Sequence, residues 1–296
     1  MIRVVVLGSG ASIPSVERNL PAIAIRYGGD VFLFDCGEGT QRQMMKFKVS
    51  YSRVKAIFIT HLHADHFIGI VGLVRTLELG GRTEPLYIFG PSGTTRMMRA
   101  FGAIRGFVKT EDINEKFCFA GEGFVVSAFK TEHGIESYGY VFKENDRRNF
   151  YEERAKGMGI KGRMFSELQE KGAIKVEGRV VRIEDVTYIK KGKKIAYTGD
   201  TIFSESTVKA SQEADILMHD ASFSDDMKEE ALSRMHSTAT DAARVALLAN
   251  VKKLVLVHIS PRYGDGKILE EEAKRIFQNT LVAQDGTEIT LTSHGK

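Results

Sequence analysis

Cysteine is scarce in this chain. Cys36 and Cys118 are the only two among 296 residues, too few for a disulfide framework and consistent with reduced thiols in the cytosol. No stretch approaches the ~20 apolar residues of a membrane-spanning helix. The N-terminal apolar run, Val4 to Leu7, is too short for a secretory signal and leads into glycines. There is no repeat at solenoid periods and no low-complexity segment. Neither sign of charge dominates: Lys plus Arg total 42 and Asp plus Glu 38, and the net +4 permits an anionic partner without demanding one. At 43% hydrophobic and 27% charged, the composition excludes wholesale disorder. The expectation is a soluble cytoplasmic protein, built as one large domain or two small ones.

What the chain does have is short runs rich in Val, Ile, Phe and Tyr. They are Arg3–Leu7, Val31–Asp35, Val54–Thr60, Leu86–Phe89, Phe124–Phe129, Lys194–Tyr197, Ile216–Met218, Lys253–Val257 and Glu288–Thr292. Their length and composition predict strands. Helical periodicity lies between them. Phe67 to Leu79 aligns Ile68, Leu73 and Leu77. Ser237 or Thr238 can cap a helix reaching Asn250, and Glu270 to Phe277 forms another. Strands alternating with helices point to a layered α/β fold. From Lys143 to Gly172 no strand-like run appears, while Arg147, Arg148, Arg154, Lys156, Lys161 and Arg163 accumulate. This segment reads either as a solvated helical insertion or as a basic arm that touches an anionic partner.

The chemistry concentrates in His61-Leu62-His63-Ala64-Asp65-His66, which follows a strand and precedes a helix. In extended backbone, alternate residues face one side, so His61, His63 and Asp65 can converge, with His66 brought round by the turn into the helix. Three imidazoles and a carboxylate suit a borderline metal such as zinc better than calcium or magnesium. Several other apolar runs also end in His or Asp: His133, Asp200, His219 with Asp220, and His258. Carboxyl ends of strands are where ligands gather in α/β proteins. His294, in the tail, reads as an ordinary polar residue. Asp35, after a strand and before Gly37 and Gly39, either orients a ligand imidazole or caps the helix from Thr40 onward.

His61 to His66 is the HxHxDH signature of the metallo-β-lactamase superfamily. Four further segments resemble the ribonuclease Z family, the transfer RNA 3′-processing endonucleases. These are Phe34-Asp35-Cys36-Gly37-Glu38-Gly39-Thr40-Gln41-Arg42-Gln43, Tyr197-Thr198-Gly199-Asp200, Met235-His236-Ser237-Thr238 and Val257-His258. The resemblance implies a four-layer αββα sandwich with an inserted basic arm at residues 143–172. It implies two zinc ions per subunit, one held by His61, His63 and His133, the other by Asp65, His66 and His258, with Asp200 bridging. It also implies precursor tRNA as substrate, gripped by the arm, and a homodimer. Asp65 is then the acceptor of the water proton. His236, oriented by Asp220, is the candidate acid, with an orienting or helix-capping role as its alternative. Three departures stand out. His219-Asp220-Ala221-Ser222 replaces His-Glu-Ala-Thr, Val16 replaces Lys in a Pro-x-Lys-x-Arg-Asn element, and Lys161-Gly162-Arg163 stands where a Gly-Pro pair is common. Two rival readings remain: a superfamily hydrolase of small phosphodiesters or esters, and a non-catalytic RNA-binding protein with a structural metal.

Overall fold

The computed structural model describes residues 1–292; His294 lies outside them. The chain divides into two compact units, one made of residues 1–143 and 193 onward, the other Glu144–Gly192.

In the larger unit, β1 (Ile2–Gly8), β2 (Ala22–Tyr27), β3 (Asp30–Phe34), β4 (Val54–Phe58), β5 (Leu86–Gly90) and β6 (Val108–Asp112) run side by side in that order. A second sheet starts with β7 (Cys118–Gly121), β8 (Phe124–Lys130) and β9 (Tyr138–Glu144). The smaller unit contributes β10 (Arg147–Phe150), β11 (Ala173–Val176), β12 (Arg179–Arg182) and β13 (Thr187–Lys190). The second sheet is completed by β14 (Lys194–Tyr197), β15 (Ile216–Asp220), β16 (Leu254–Val257) and β17 (Thr280–Val282). The last strand, β18 (Glu288–Leu291), returns to pair with β1. β14, β15 and β16 pair in parallel, so their carboxyl ends open on one edge.

Side-chain alternation makes the layers. Val4 and Val6 of β1, Phe32 and Phe34 of β3, Ile195 and Tyr197 of β14, and Val255 and Val257 of β16 form one core between the sheets. The intervening Val5, Leu7 and Leu33 instead meet the helix Gly69–Leu79 through Ile70, Leu73, Val74 and Leu77. On the other side, Ala196, Leu217 and Leu256 meet Ala242, Val245 and Ala246 of the helix Ala239–Leu248. Strands buried on both faces carry continuous apolar runs rather than alternation, which is why those runs stand out in the sequence. The order helix, sheet, sheet, helix is the four-layer arrangement the resemblance implies.

Local chemistry sets the helix boundaries. Thr238 caps Ala239–Leu248 in a reciprocal box, its hydroxyl accepting from the Asp241 N–H while the Asp241 carboxylate accepts from the Thr238 N–H. Such a cap is worth about 1 kcal/mol. The stretch Phe67–Leu79 is not one helix: Ala64–Phe67 is a separate turn before Gly69–Leu79. The last predicted helix lies at Lys267–Lys274, started by Gly266 at φ 78°, where glycine is at ease. No helix among the described residues is long and apolar enough to cross a membrane.

The unit Glu144–Gly192 is longer than 143–172 and contains strands. β10 pairs with β13, which lies far along the chain, so no local pattern announces it. β11 and β12 form a second pair. Ala155, Ile160, Leu168, Ile174, Val176, Val181, Ile183 and Val186 pack as a small core of its own. Arg147 and Arg148 lie on β10, Arg154 and Lys156 on the helix Glu152–Gly157, and Lys161 and Arg163 in the loop that follows; all six are exposed.

Candidate metal centre

The site is assembled at strand ends. His61 and His63 follow β4, His133 follows β8, Asp200 follows β14, Asp220 ends β15 and His258 follows β16. Asp65 and His66 lie in the helical turn Ala64–Phe67. Two close backbone approaches hold this loop. Gly37 and Gly69 carry no Cβ where one would lie 2.4 Å from the Asp65 carbonyl oxygen and 2.0 Å from the Gly37 carbonyl oxygen, respectively. The Cys36 N–H donates to the His66 carbonyl at 2.7 Å. Asp35, Met235 and His258 have φ near +58°, an uncommon conformation for residues with side chains and one that clusters at functional sites.

Three overlapping sets of ligand-competent side chains meet here. One, Asp200 with Asp220, His236 and His258, shares members with the other two: His61, His63 and His133 lie with Asp200, and Asp65 and His66 lie with His258. The Asp200 carboxylate divides between them. Its Oδ2 is 3.5 Å from His61 Nε2, while Oδ1 is 3.3 Å from both His66 Nε2 and His258 Nε2. Asp65 Oδ2 accepts from the Ser12 N–H at 3.1 Å and lies 3.6 Å from His66 Nε2 and 3.8 Å from His258 Nε2. His63 Nδ1 is 3.0 Å from His61 Nε2 and 3.3 Å from His133 Nε2.

Each of four imidazoles is fixed through its other nitrogen. His66 Nδ1 donates to Asp35 Oδ2 at 2.7 Å and His133 Nδ1 to the Met235 carbonyl at 2.9 Å, while His61 Nδ1 lies 3.0 Å from Thr60 Oγ1 and His258 Nδ1 2.8 Å from Ser222 Oγ. This leaves His66 Nε2, His258 Nε2 and Asp200 Oδ1 buried with no hydrogen-bond partner. A buried polar atom left so costs about 1–3 kcal/mol, and three converging on one point require a common partner. Imidazole nitrogens with carboxylate oxygens form the donor set of a divalent transition metal. The residues present fit the metal that the fold implies.

The electrostatics agree. Burial would raise the Asp200 carboxyl, but His258, His66 and His61 hold it well below the usual carboxylate range. Burial and then the neighbouring His66 push His61 well below the ordinary imidazole range. Against the pull of burial, Asp200 drives His66 well up, and Asp200 with Asp220 pushes His258 up to about 10. Carboxylates and imidazoles buried this close together are groups that one divalent cation would satisfy jointly.

His236 lies at the edge of this cluster, its Nδ1 donating to Asp220 Oδ2 at 2.8 Å. Burial lowers its proton affinity, but Asp220 more than offsets that, and the imidazole stands above its ordinary range. Asp35 does not cap the helix from Thr40, whose N-cap is Gly39. Its buried carboxylate instead accepts from the Thr60 N–H, the Thr60 hydroxyl, Tyr197 Oη and His66. The alternation argument holds for His61 and His63 but fails for Asp65, because the chain is already helical there and Asp65 joins the other group. His219 is not brought in; its Nδ1 donates to the Asp220 carbonyl at 2.8 Å. Thr60, Ser222, Tyr197 and the Met235 carbonyl are contributors the sequence reading missed. The one available signal was that each lies within three residues of a predicted site residue.

Known proteins resemble the chain from end to end. Two family models divide the site between them. The Anti-Pycsar protein Apyc1 family matches residues 2–153, which hold the HxHxDH loop and His133. The beta-lactamase superfamily domain matches residues 180–259, which hold Asp200 to His258. The ribonuclease Z of Methanosarcina acetivorans is 42% identical over 98% of both chains. That of Archaeoglobus fulgidus is 43% identical over 99% of this chain and 98% of its own. The crystal structure of human tRNase Z, short form, superposes with a TM-score of 0.69 at 30% identity, covering 98% of this chain and 99% of that one. With full-length relatives at this identity and the same fold, the chain belongs to the ribonuclease Z family of the metallo-β-lactamase superfamily.

Proposed function

We propose that this chain is a zinc-dependent endoribonuclease that removes the 3′ trailer from precursor tRNA by hydrolysing one phosphodiester, leaving a 3′-hydroxyl on the tRNA. The observation that carries the reading is the division of Asp200, one oxygen toward each ligand group, in a chain whose relatives along its whole length are ribonucleases Z. His61, His63 and His133 would hold one zinc ion and Asp65, His66 and His258 the other, with Asp200 shared.

A pair of such cations, when bound, supplies charge neutralisation at the phosphoryl oxygens and a water acidified toward neutral pH. The chain's own groups manage the protons. Asp65, its Oδ2 anchored by the Ser12 N–H, accepts the proton of the attacking water. His236 uses Nδ1 to donate to Asp220, so Nε2 is the atom that protonates the leaving 3′-oxygen. The P–O3′ bond breaks, and the water oxygen stays on the trailer's 5′ phosphate.

The Lys and Arg side chains of Glu144–Gly192 would hold tRNA phosphates, since structured RNA is recognised mainly through shape and backbone. The working species is taken as a cytoplasmic homodimer, on the dimeric habit of the family; light scattering tests the stoichiometry. The decisive assay incubates zinc-loaded protein with a 3′-extended tRNA and maps both ends. One cut at the trailer junction with a 3′-hydroxyl supports the reading. Bound but uncut RNA, or hydrolysis confined to small phosphodiesters, rejects it.

A further inference from the structure

Two buried carboxylates stand behind the ligand cluster, Asp35 after β3 and Asp220 at the end of β15, both fully buried. Each binds one imidazole directly: His66 Nδ1 to Asp35 at 2.7 Å, and His236 Nδ1 to Asp220 at 2.8 Å. Each also reaches a second imidazole through a hydroxyl. Thr60 Oγ1 lies 2.9 Å from Asp35 Oδ2 and 3.0 Å from His61 Nδ1. Ser222 Oγ lies 2.7 Å from Asp220 Oδ1 and 2.8 Å from His258 Nδ1. The same device therefore occurs twice, once behind each sheet.

A hydroxyl has one proton, and that fixes the direction of each chain. An ionised carboxylate can only accept, and a charged acceptor makes the stronger hydrogen bond. The hydroxyl proton therefore goes to Asp35 from Thr60 and to Asp220 from Ser222. Each hydroxyl oxygen can then only accept from its imidazole, so His61 and His258 carry their proton on Nδ1. Their Nε2 atoms present bare lone pairs to the cluster, the form a metal requires. Other acceptors do not replace this. For His258 Nδ1, Asp220 Oδ1 is 3.8 Å away, too far for a hydrogen bond. Both hydroxyl residues are buried, at 0% and 3% exposure, so water cannot readily substitute.

We propose that Thr60 and Ser222 are positioning residues, hydroxyl relays that set the tautomer and aim of His61 and His258, one ligand in each group. The proposal rests on the metal-centre reading and deepens it. It also explains how one carboxylate serves two tasks at Asp220, aligning a ligand through Ser222 and His236 directly.

The test is divalent metal affinity, measured by equilibrium dialysis of the full chain against zinc, with elemental analysis and far-ultraviolet circular dichroism on every variant. Ser222→Ala and Thr60→Val keep size while removing the hydroxyl. Ser222→Thr and Thr60→Ser keep the hydroxyl and guard against simple misfolding. Each hydroxyl-deleted variant should lose about 10–100-fold in affinity for one ion. The hydroxyl-retaining pair should stay within a few-fold of the unmodified chain, and His236→Ala should keep its metal. Folded Ser222→Ala and Thr60→Val chains that hold zinc as tightly as the unmodified chain would overturn the relays and leave the metal centre standing. Equal losses in the hydroxyl-retaining variants would overturn the relays as well. An unmodified chain that takes up no zinc would overturn both readings.

Discussion

Excision of the basic unit separates its contribution from that of the metal centre. β9 and β14 are antiparallel neighbours with Lys143 opposite Lys194, so replacing residues 144–193 with Asn-Gly closes a two-residue hairpin. None of the three apolar cores of the larger unit draws a residue from the excised stretch, so the remainder should fold. Residues 144–192 carry twelve basic and nine acidic side chains, a surplus of three out of the chain's net +4. Several of those cations are already paired, as Lys156 is with Glu153 and Lys171 with Glu167. Arg154, Lys161 and Arg163 are exposed and carry no ion pair among the described residues. If each of the three meets one phosphate, excision flattens the slope of log affinity against log salt by about 2.7. Over a fourfold change in salt, that corresponds to about 40-fold in affinity. The assay is binding of labelled precursor tRNA from 50 to 200 mM salt, roughly the range over which such contacts are read. Turnover of a small chromogenic phosphodiester runs alongside and should be unchanged. An unaltered salt slope would refute the phosphate contacts. Loss of small-substrate turnover together with zinc would mean that the unit supports the site rather than the RNA.

Other expectations follow from single residues. His236→Ala should lower precursor tRNA cleavage by about 10²–10⁴-fold, yet affect far less a nitrophenyl phosphodiester, whose leaving group needs no proton. Equal losses on both substrates, or zinc lost in step with activity, would remove His236 from the role of acid. Tyr197→Phe deletes a hydrogen bond of 2.8 Å to the buried Asp35 carboxylate and should cost about 1.5–3 kcal/mol of stability, read by denaturant unfolding of the metal-free chain. Asp215 accepts from Lys252 at 2.8 Å and from Lys193 at 3.1 Å; burial alone would raise its carboxyl, but these lysines and the Lys194 N–H hold it below the usual range. A depressed acid stabilises the fold above its unfolded pKa of ~3.9, and that stability fades as pH falls through the folded value. Asp215→Asn should therefore be less stable than the parent at pH 7, with the gap closing below about pH 4. A gap independent of pH would point to lost packing instead.

Much of this was legible because the informative residues are local. The apolar runs of β1, β3 and β4 are continuous because both faces of the sheet are covered, and His61 to His66 crowd four donors into one loop. The remote donors could be picked out only as polar residues ending apolar runs. Their convergence depends on strand order, which puts β14, β15 and β16 side by side. Asp35 stood open between orienting a ligand imidazole and capping a helix, and its left-handed backbone decides for the first by turning the carboxylate inward toward His66 and Thr60. Two features escaped for physical reasons. The inserted unit seemed strand-free because β10 finds its partner only at β13. Thr60 and Ser222 are ordinary hydroxyl residues until an aspartate and an imidazole are seen on either side of each.

Anomalous diffraction at the zinc edge, from crystals of the zinc-loaded protein, tests the central claim most directly. Two peaks are expected, one among His61, His63 and His133 and one among Asp65, His66 and His258, with the Asp200 carboxylate between them. A single peak, or peaks away from Asp200, would contradict the account.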